Sequence, residues 1–354
     1  MSANPSTVLE IVDADNMTPL DRITLAYSRS FKPIFNGPGT YSCVIKLDSK
    51  QAYLIKNRRT GLLFTRNGRY VWSGGITSIV KSASANTMAV TATGWLEEFD
   101  HRFVRKDEET TLTFSAVAGG EVIQTLVETC NAQQDTNSVT RPLRMSFGTV
   151  SDTQVRTTSF HAGDNYGQSI QSMVTIEDGC DLAIDHLARK ISTRDPSSFT
   201  DQKNVEFGWG VAPNNLNDCV ETSDGTTLFN RENTVTANGT IVSADDQDAI
   251  NSAGVMLEEW TSLSDENDVT IAAAFANAEL VYKRYGRVTY QITPKQFGDL
   301  PRPYDDFEWG DVGYLSVDKG AFKLSDQAVR IFAGTLNYDD NGNEIISELQ
   351  LALS

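Results

Sequence analysis

Histidine and cysteine are scarce in this chain. Three histidines, His101, His161 and His186, and four cysteines, Cys43, Cys130, Cys180 and Cys219, stand among 354 residues. No two cysteines form a C-x-x-C pair, so the spacing used by zinc sites is missing. A reducing compartment disfavours disulfides, and the four thiols are expected to be small buried or half-buried groups. No G-x-S-x-G elbow, H-E-x-x-H pair or Walker loop occurs. Positive charge is also short: 30 Lys and Arg face 47 Asp and Glu, a net charge of −17. Nucleic-acid binding through counterion release needs clustered cations, so specific binding of this kind is not expected. The balance fits a highly soluble protein. It fits equally well a surface past which DNA slides without sticking. Long apolar runs are missing too; none approaches the ~18 residues that cross a bilayer. Met1 to Asp15 has no basic n-region and no apolar h-region, so it does not read as a signal peptide. The chain is expected to be made, and first folded, in a cytoplasm.

What is present is ordinary globular composition, 40% hydrophobic and 22% charged, at a length that fits two or three domains. The first third reads as β. Ile23, Leu25 and Tyr27 alternate with polar neighbours over Arg22 to Ser28, as do Tyr41, Cys43, Ile45 and Leu47 over Tyr41 to Leu47; a period of two marks strands with one buried face. Asn36-Gly37-Pro38-Gly39 is a loop. Leu62 to Thr65, Asn67-Gly68 and Tyr70 to Ser73 form a hairpin signature, because Asn-Gly supplies the positive φ angles of a type I′ turn. Ile76 to Val80 and Met88 to Thr93 extend the series around a turn at Ser82 to Thr87.

The middle changes character. Val122, Ile123, Leu126, Val127 and Cys130 fall at helical spacing after Gly119-Gly120. Ser169 to Ile176 and Cys180 to Arg189 read as short helices, the second with Ile184, Leu187 and Ala188 as its buried stripe. Arg194 to Asp201 reads as a loop and Val205 to Val211 as a strand. The last third returns to β at Asn233 to Ala237, Gly239 to Ser243, Val288 to Thr293, Gly313 to Val317, Ala328 to Asn337 and Ile345 to Leu351. Two helices interrupt it. One is short and acidic, Asp245 to Ala253. The other runs from an N-cap at Asn267 or Asp268 to about Tyr285, with Ile271, Ala274, Phe275, Ala278, Leu280 and Val281 apolar and Gly286 at C′. Pro301-Arg302-Pro303 is a rigid extended loop. The expected class is mainly β with α+β: a β-barrel-like domain at 1–108, an α+β module at 109–222, and a second β-barrel-like domain with a helix at 223–354.

Candidate chemistry is thin. His161 and Asp164 lie close enough in sequence for a base–acid pair, but a loop histidine of this kind is commoner as a surface or hydrogen-bonded residue. The paired carboxylates Glu97-Glu98, Asp245-Asp246, Glu258-Glu259 and Asp305-Asp306 could serve a glycosidase, but so acidic a chain shows such pairs by chance, as solvated faces and helix N-termini. Asn337 to Glu348 matches the spacing of an EF-hand calcium loop, with Gly342 at its sixth position. Strand-like flanks favour a β-hairpin with Asp340-Asn341-Gly342-Asn343 at its tip, and leave open whether the turn binds a cation. No catalytic, cofactor-binding or metal-ligating residue is assigned.

With these segments placed, the chain resembles the phage tail-hub family, which includes baseplate hubs of contractile tails and late-control-D proteins. The resemblance rests on Leu20-Asp21-Arg22 leading to Ser28-Arg29-Ser30-Phe31, on Asn36-Gly37-Pro38-Gly39-Thr40-Tyr41, on Arg69 to Ile76, and on Gly94-Trp95-Leu96 to Arg102. In the last third it rests on Asp224-Gly225 to Gly239, Gly254 to Trp260, Ala276 to Leu280 and Gly310-Asp311-Val312. It is carried by the order of elements over most of the chain. The resemblance implies a non-enzymatic homotrimer whose two related barrels per subunit make a pseudo-sixfold ring at the tail tip. That ring would join the sixfold tail tube to the tip and surround the DNA path. The implied partners are the tail tube, distal tail and tape measure proteins. With the chain stopping at Ser354, wall digestion or adhesion is expected to belong to another chain. The alternatives are a tail-tip adhesion or carbohydrate-binding protein, with Trp72, Trp95, Trp209, Trp260 and Trp309 as stacking platforms, and a hydrolase with a carboxylate pair. The charge also leads to an expected acidic lumen, with Asp245–Asp248 and Asp265–Asp268 as candidate lining.

Overall fold

The computed structural model describes residues 5–104, 111–134, 138–140, 142–153, 155–175, 179–195, 201–263, 269–284, 287–296, 300–339 and 342–353. The chain divides into two compact units. The first is formed by Met1–Cys219 and Ile292–Ala352, the second by Val220–Gln291.

In the first unit, the opening third gives β1 (Thr7–Asp13), β2 (Pro19–Arg22), β3 (Tyr27–Lys32), β4 (Thr40–Lys46), the short helix α1 (Lys50–Leu54), β5 (Thr60–Arg66), β6 (Arg69–Ser82) and β7 (Thr87–Gly94), then a 3-10 turn at Trp95–His101. The β5–β6 hairpin turns where the sequence places it: Asn67 and Gly68 have φ of 50° and 79°, which is the geometry Asn-Gly tolerates. Tyr41, Cys43 and Ile45 are buried along β4, as the alternation requires. Of the expected strand over Arg22 to Ser28, Arg22 ends β2, Tyr27 and Ser28 open β3, and residues 23–26 are the gap between them. Ile23 is buried in that gap while Leu25 is exposed, and β3 begins with an irregular register between Tyr27 and Ser30, where Ser28 sits at φ 48°.

The middle third supplies β8 (Thr111–Ala118), α2 (Gly119–Ala132), β9 (Ser146–Phe147), β10 (Val155–His161), α3 (Tyr166–Thr175), β11 (Asp181–Asp185), β12 (Lys190–Arg194), β13 (Asp201–Trp209) and β14 (Leu216–Asp224). The predicted stripe of α2 is fully buried, Val122, Ile123, Leu126, Val127 and Cys130, against Phe99, Phe114, Phe160 and Tyr166. The glycine pair that opens α2 lets Asp152 approach. The Gly120 N–H donates to Asp152 Oδ2 at 2.9 Å, and a Cβ at Gly120 would lie 2.1 Å from Asp152 Oδ1. Residues 180–189 are not helical. β11 and β12 form a hairpin pairing Ile184 with Ile191, because the Asp185 carboxylate accepts from the N–H groups of Leu187 and Ala188 and fixes a turn. Leu187 is consequently exposed.

The second unit contains β15 (Arg231–Thr236), β16 (Ile241–Asp245), α4 (Gln247–Ala253), β17 (Glu258–Leu263) and α5 (Val269–Lys283). The sheet order is β16-β15-β17. Asp246 caps α4 by accepting from the Ala249 N–H at 2.8 Å, and Gly254 ends the helix in the left-handed region. α5 packs on β15 and β16, with Ala272, Ala276 and Leu280 buried at i, i+4, i+8. Its proposed N-cap, Asn267 or Asp268, and its C′ residue Gly286 lie outside the described residues.

The chain returns through β18 (Arg287–Pro294), β19 (Val312–Lys319), β20 (Phe322–Tyr338) and β21 (Glu344–Leu353). Here the last third joins the first. β20 pairs antiparallel with β3, Leu336 opposite Phe31 and Tyr338 opposite Arg29, so strands from the first and last thirds share one thirteen-stranded sheet. Its path runs open from β14 to β2, and no closed barrel forms among the described residues. The mainly β class with α+β elements holds. Pairing β3 with β20 satisfies two sheet edges with each other instead of closing each third on itself.

Candidate functional site

The first unit is tied together along a seam of buried ions and aromatic rings. Arg66 ends β5 and its side chain is 1% exposed. Its Nε and Nη2 donate to the two oxygens of Glu344, both at 3.0 Å, and Nη2 also donates to Asp305 at 2.8 Å. Tyr338 O–H donates to Glu344 at 3.1 Å, and Asn67 donates to Asp305 at 3.2 Å. Burial opposes the Arg66 charge, but hydrogen bonds to Asp305 and Glu344 outweigh it and hold the guanidinium above its ordinary value. Arg66 in turn holds Asp305 below the usual carboxylate range. Beside this triad Arg69 pairs with Glu308, and Trp309 Nε1 donates to Tyr304 O–H at 2.8 Å.

A second tie joins the Asn36 loop to the middle third. Asn36 donates to Asp181 at 2.8 Å and accepts from the Leu182 N–H at 2.8 Å. Arg330 of β20 pairs with the same carboxylate and lies 4.8 Å over the Phe35 ring. A third tie is made by His186. Ser73 N–H donates to its Nδ1 at 3.2 Å, and Ser73 Oγ donates to its carbonyl at 2.6 Å. Burial pushes the His186 imidazole down to about 4, so it is neutral and accepts. Asn36 and His186, from the second and third ties, help line a cavity of about 230 Å³ together with Phe31, Trp72, Tyr304 and Trp309.

Most of the sequence candidates for chemistry resolve into structural contacts. Glu97 pairs with Arg58 and His101, while its neighbour Glu98 pairs with Arg144. Asp245 and Glu258 both pair with Arg231. Asp246 caps α4 and pairs with Arg284, and Asp306 accepts from the Arg302 N–H. The doublets Glu97-Glu98, Asp245-Asp246 and Asp305-Asp306 are thus each split between different partners, which is not how an acid and a base share one bond. Asp164 Oδ2 accepts from the His161 backbone N–H at 2.7 Å, closing a turn. The stretch from Asn337 to Glu348 joins β20 to β21 as a hairpin; Asp339 accepts from Asn343 N–H and Nδ2, both at 2.7 Å, and Asp340 and Asn341 of its tip lie outside the described residues. Cys43, Cys130 and Cys180 are buried and Cys219 half-buried, and burial raises the Cys43 thiol to about 12. Among the described residues no group of three His, Cys, Asp or Glu is placed to hold a metal, and no helix is long and apolar enough to cross a membrane. Of the five tryptophans, Trp72, Trp95 and Trp309 are buried and Trp260 is exposed; Trp209 donates to the Asn217 carbonyl beneath Lys319.

No family model matches the chain. No curated protein matches it either. Solved structures do. The tail protein from Neisseria meningitidis MC58 superposes with a TM-score of 0.67, covering 98% of this chain and 96% of that one at 10% identity. This is the fold of phage tail proteins. The 43 kDa tail protein of prophage MuSo2 from Shewanella oneidensis shares it, with a TM-score of 0.62, 11% identity and coverage of 99% and 97%. So does the prophage tail protein gp18 from Listeria monocytogenes EGD-e, with a TM-score of 0.62, 12% identity and coverage of 98% and 94%. Arg66, Glu344, Asp305 and His186 were not singled out from the sequence as a group. Their partners lie up to 278 positions apart, and no local pattern marks such pairs.

Proposed function

We propose that this chain is a non-enzymatic structural subunit of a phage tail. In this reading three copies form a ring at the tail tip, join the sixfold tube to the tip proteins and surround the DNA path. The observation that carries it is the end-to-end likeness to phage tail proteins, which spans both chains almost completely. Two features of the chain agree with it. Buried ties such as Arg66–Glu344 and the Ser73–His186 contact stiffen the first unit, which suits a load-bearing part. The net charge of −17 suits a wall that DNA must pass, since a basic lumen would bind a polymer carrying one charge per ~1.7 Å of axis. A closed threefold ring repeats one interface and needs no second component to terminate. Tube, distal tail and tape measure proteins are its neighbours in this proposal. The test is imaging of intact tail tips at subnanometre resolution. Three copies on the tail axis around a neutral or acidic channel are expected; a monomer off the axis, or a channel dominated by Lys and Arg, would overturn the reading.

A further inference from the structure

The sheet of the second unit has two faces of unlike character. Cross-strand register fixes which residues share each face. Glu232 stands opposite Ala244, and Ala244 packs with Ala276 and Leu280 of α5, so Glu232, Thr234 and Thr236 lie on the face that α5 covers. The alternate residues form the other face. Its first row is Asp245, Arg231 and Glu258, its second Ser243, Asn233 and Trp260, and its third Ile241, Val235 and Ser262. On this face Trp260 is 57% exposed and Ile241 54%. Met256, also exposed at 47%, is held beside the first row by Arg231, whose Nη1 lies 3.4 Å from its Sδ. An exposed tryptophan and isoleucine on one sheet face, with an exposed methionine beside it, are a surface that association would remove from water.

Charge selects the occupant. Residues 220–291 carry twelve Asp and Glu against four Lys and Arg. On the face itself Arg231 is shared by Asp245 and Glu258 at 3.2 and 3.3 Å, leaving one negative charge in excess in that row. A second copy laid on this face would bring like charge against like, which is costly where water is excluded. A surface of opposite sign gains from the same arrangement. We propose that the Trp260 face is the docking site of a different protein, one that presents an apolar surface bordered by Lys and Arg. Trp260 fills the centre of the contact and the acidic border sets its polarity and register.

The test uses the full chain and two synthetic β-hairpin peptides with the same apolar face, one flanked by lysines and the other by glutamates, each carrying a fluorescent label for anisotropy titration. The lysine hairpin is expected to bind, with affinity falling as salt is raised, and the glutamate hairpin to bind at least about tenfold more weakly. Trp260→Ala is expected to weaken the lysine hairpin by about tenfold or more. Ile241→Lys, at an exposed site that leaves the fold intact, is expected to act in the same direction. Equal binding of the two hairpins, binding of neither, or an unchanged affinity in Trp260→Ala would overturn the proposal. So would concentration-dependent self-association of the chain that Trp260→Ala abolishes, because that result gives the face to a second copy.

Discussion

Replacing Arg66 by methionine is the sharpest test of how the first unit is held. The guanidinium balances Glu344, whose side chain is also 1% exposed, through two hydrogen bonds at 3.0 Å. Removing it leaves a buried carboxylate to which, among the described residues, Tyr338 O–H still donates. Deleting one partner of a buried pair costs roughly 3–5 kcal/mol, because the surviving charge has lost both water and its counter-charge. Asp305 is partly exposed and rehydrates, so it adds little to that cost. For a unit of this size about 2 °C of melting temperature is lost per kcal/mol, which places the shift at about 6–10 °C. Scanning calorimetry measures it, and urea unfolding of the same variant supplies the free energy. The double variant Arg66→Met with Glu344→Leu removes both charges and is expected to be more stable than Arg66→Met alone by at least about 1 kcal/mol, the mark of coupled residues in a mutant cycle. A single variant within about 1 kcal/mol of wild type, or a double variant as damaged as the sum of its singles, would refute the reasoning that charge pairing holds this seam.

Three further outcomes follow from the same physics. His186 titrates at about 4 in the folded chain and near ~6.5 unfolded, so the unfolded state binds its proton first and stability is lost as pH falls from 6.5 to 4; the loss is at most about 3 kcal/mol, and His186→Asn should flatten that part of a stability–pH curve, so an unchanged slope would count against the buried neutral imidazole. Gly94→Ala would set a Cβ 1.8 Å from the Pro38 carbonyl oxygen, and a destabilisation of about 3 kcal/mol or more is expected, read as a lower urea midpoint. Leu126→Ala, at a fully buried site, should cost about 2–5 kcal/mol with the urea m-value unchanged; a smaller loss would mean that the α2 core collapses around the cavity.

What the sequence revealed and what it hid divide by range. The buried stripe of α2, the Asn67-Gly68 turn, the alternation of β4 and the capped helix α4 were legible, because each is decided by residues within a few positions. Cys180 to Arg189 was misread as a helix. Its apolar spacing is helical, yet the Asp185 side chain diverts the backbone into a turn, and Arg189 adopts φ 53° while donating to the carbonyls of Ala14 and Asp15. That long-range anchor is invisible in a window of ten residues. The same limit hid the joining of β3 to β20 in one sheet. The ion seam was hidden most fully, since Arg66, Asp305 and Glu344 each look like ordinary surface charges until the fold brings them together.

The β3–β20 pairing also imposes an order on synthesis. β3 is complete once Lys32 has left the ribosome, but its partner is not finished until Tyr338, about 95% of the way along the chain. Through that interval one edge of the growing sheet stays open, with Phe31 and the aromatic residues around it waiting for Tyr338. The second unit is one unbroken segment, Val220–Gln291, and can close on local contacts earlier, while the first unit is still missing its last strands. Non-local pairing of this kind is slow and leaves nascent chains prone to mispairing. A ribosome stalled just before β20 should therefore carry a folded second unit and an unfinished, chaperone-binding first one.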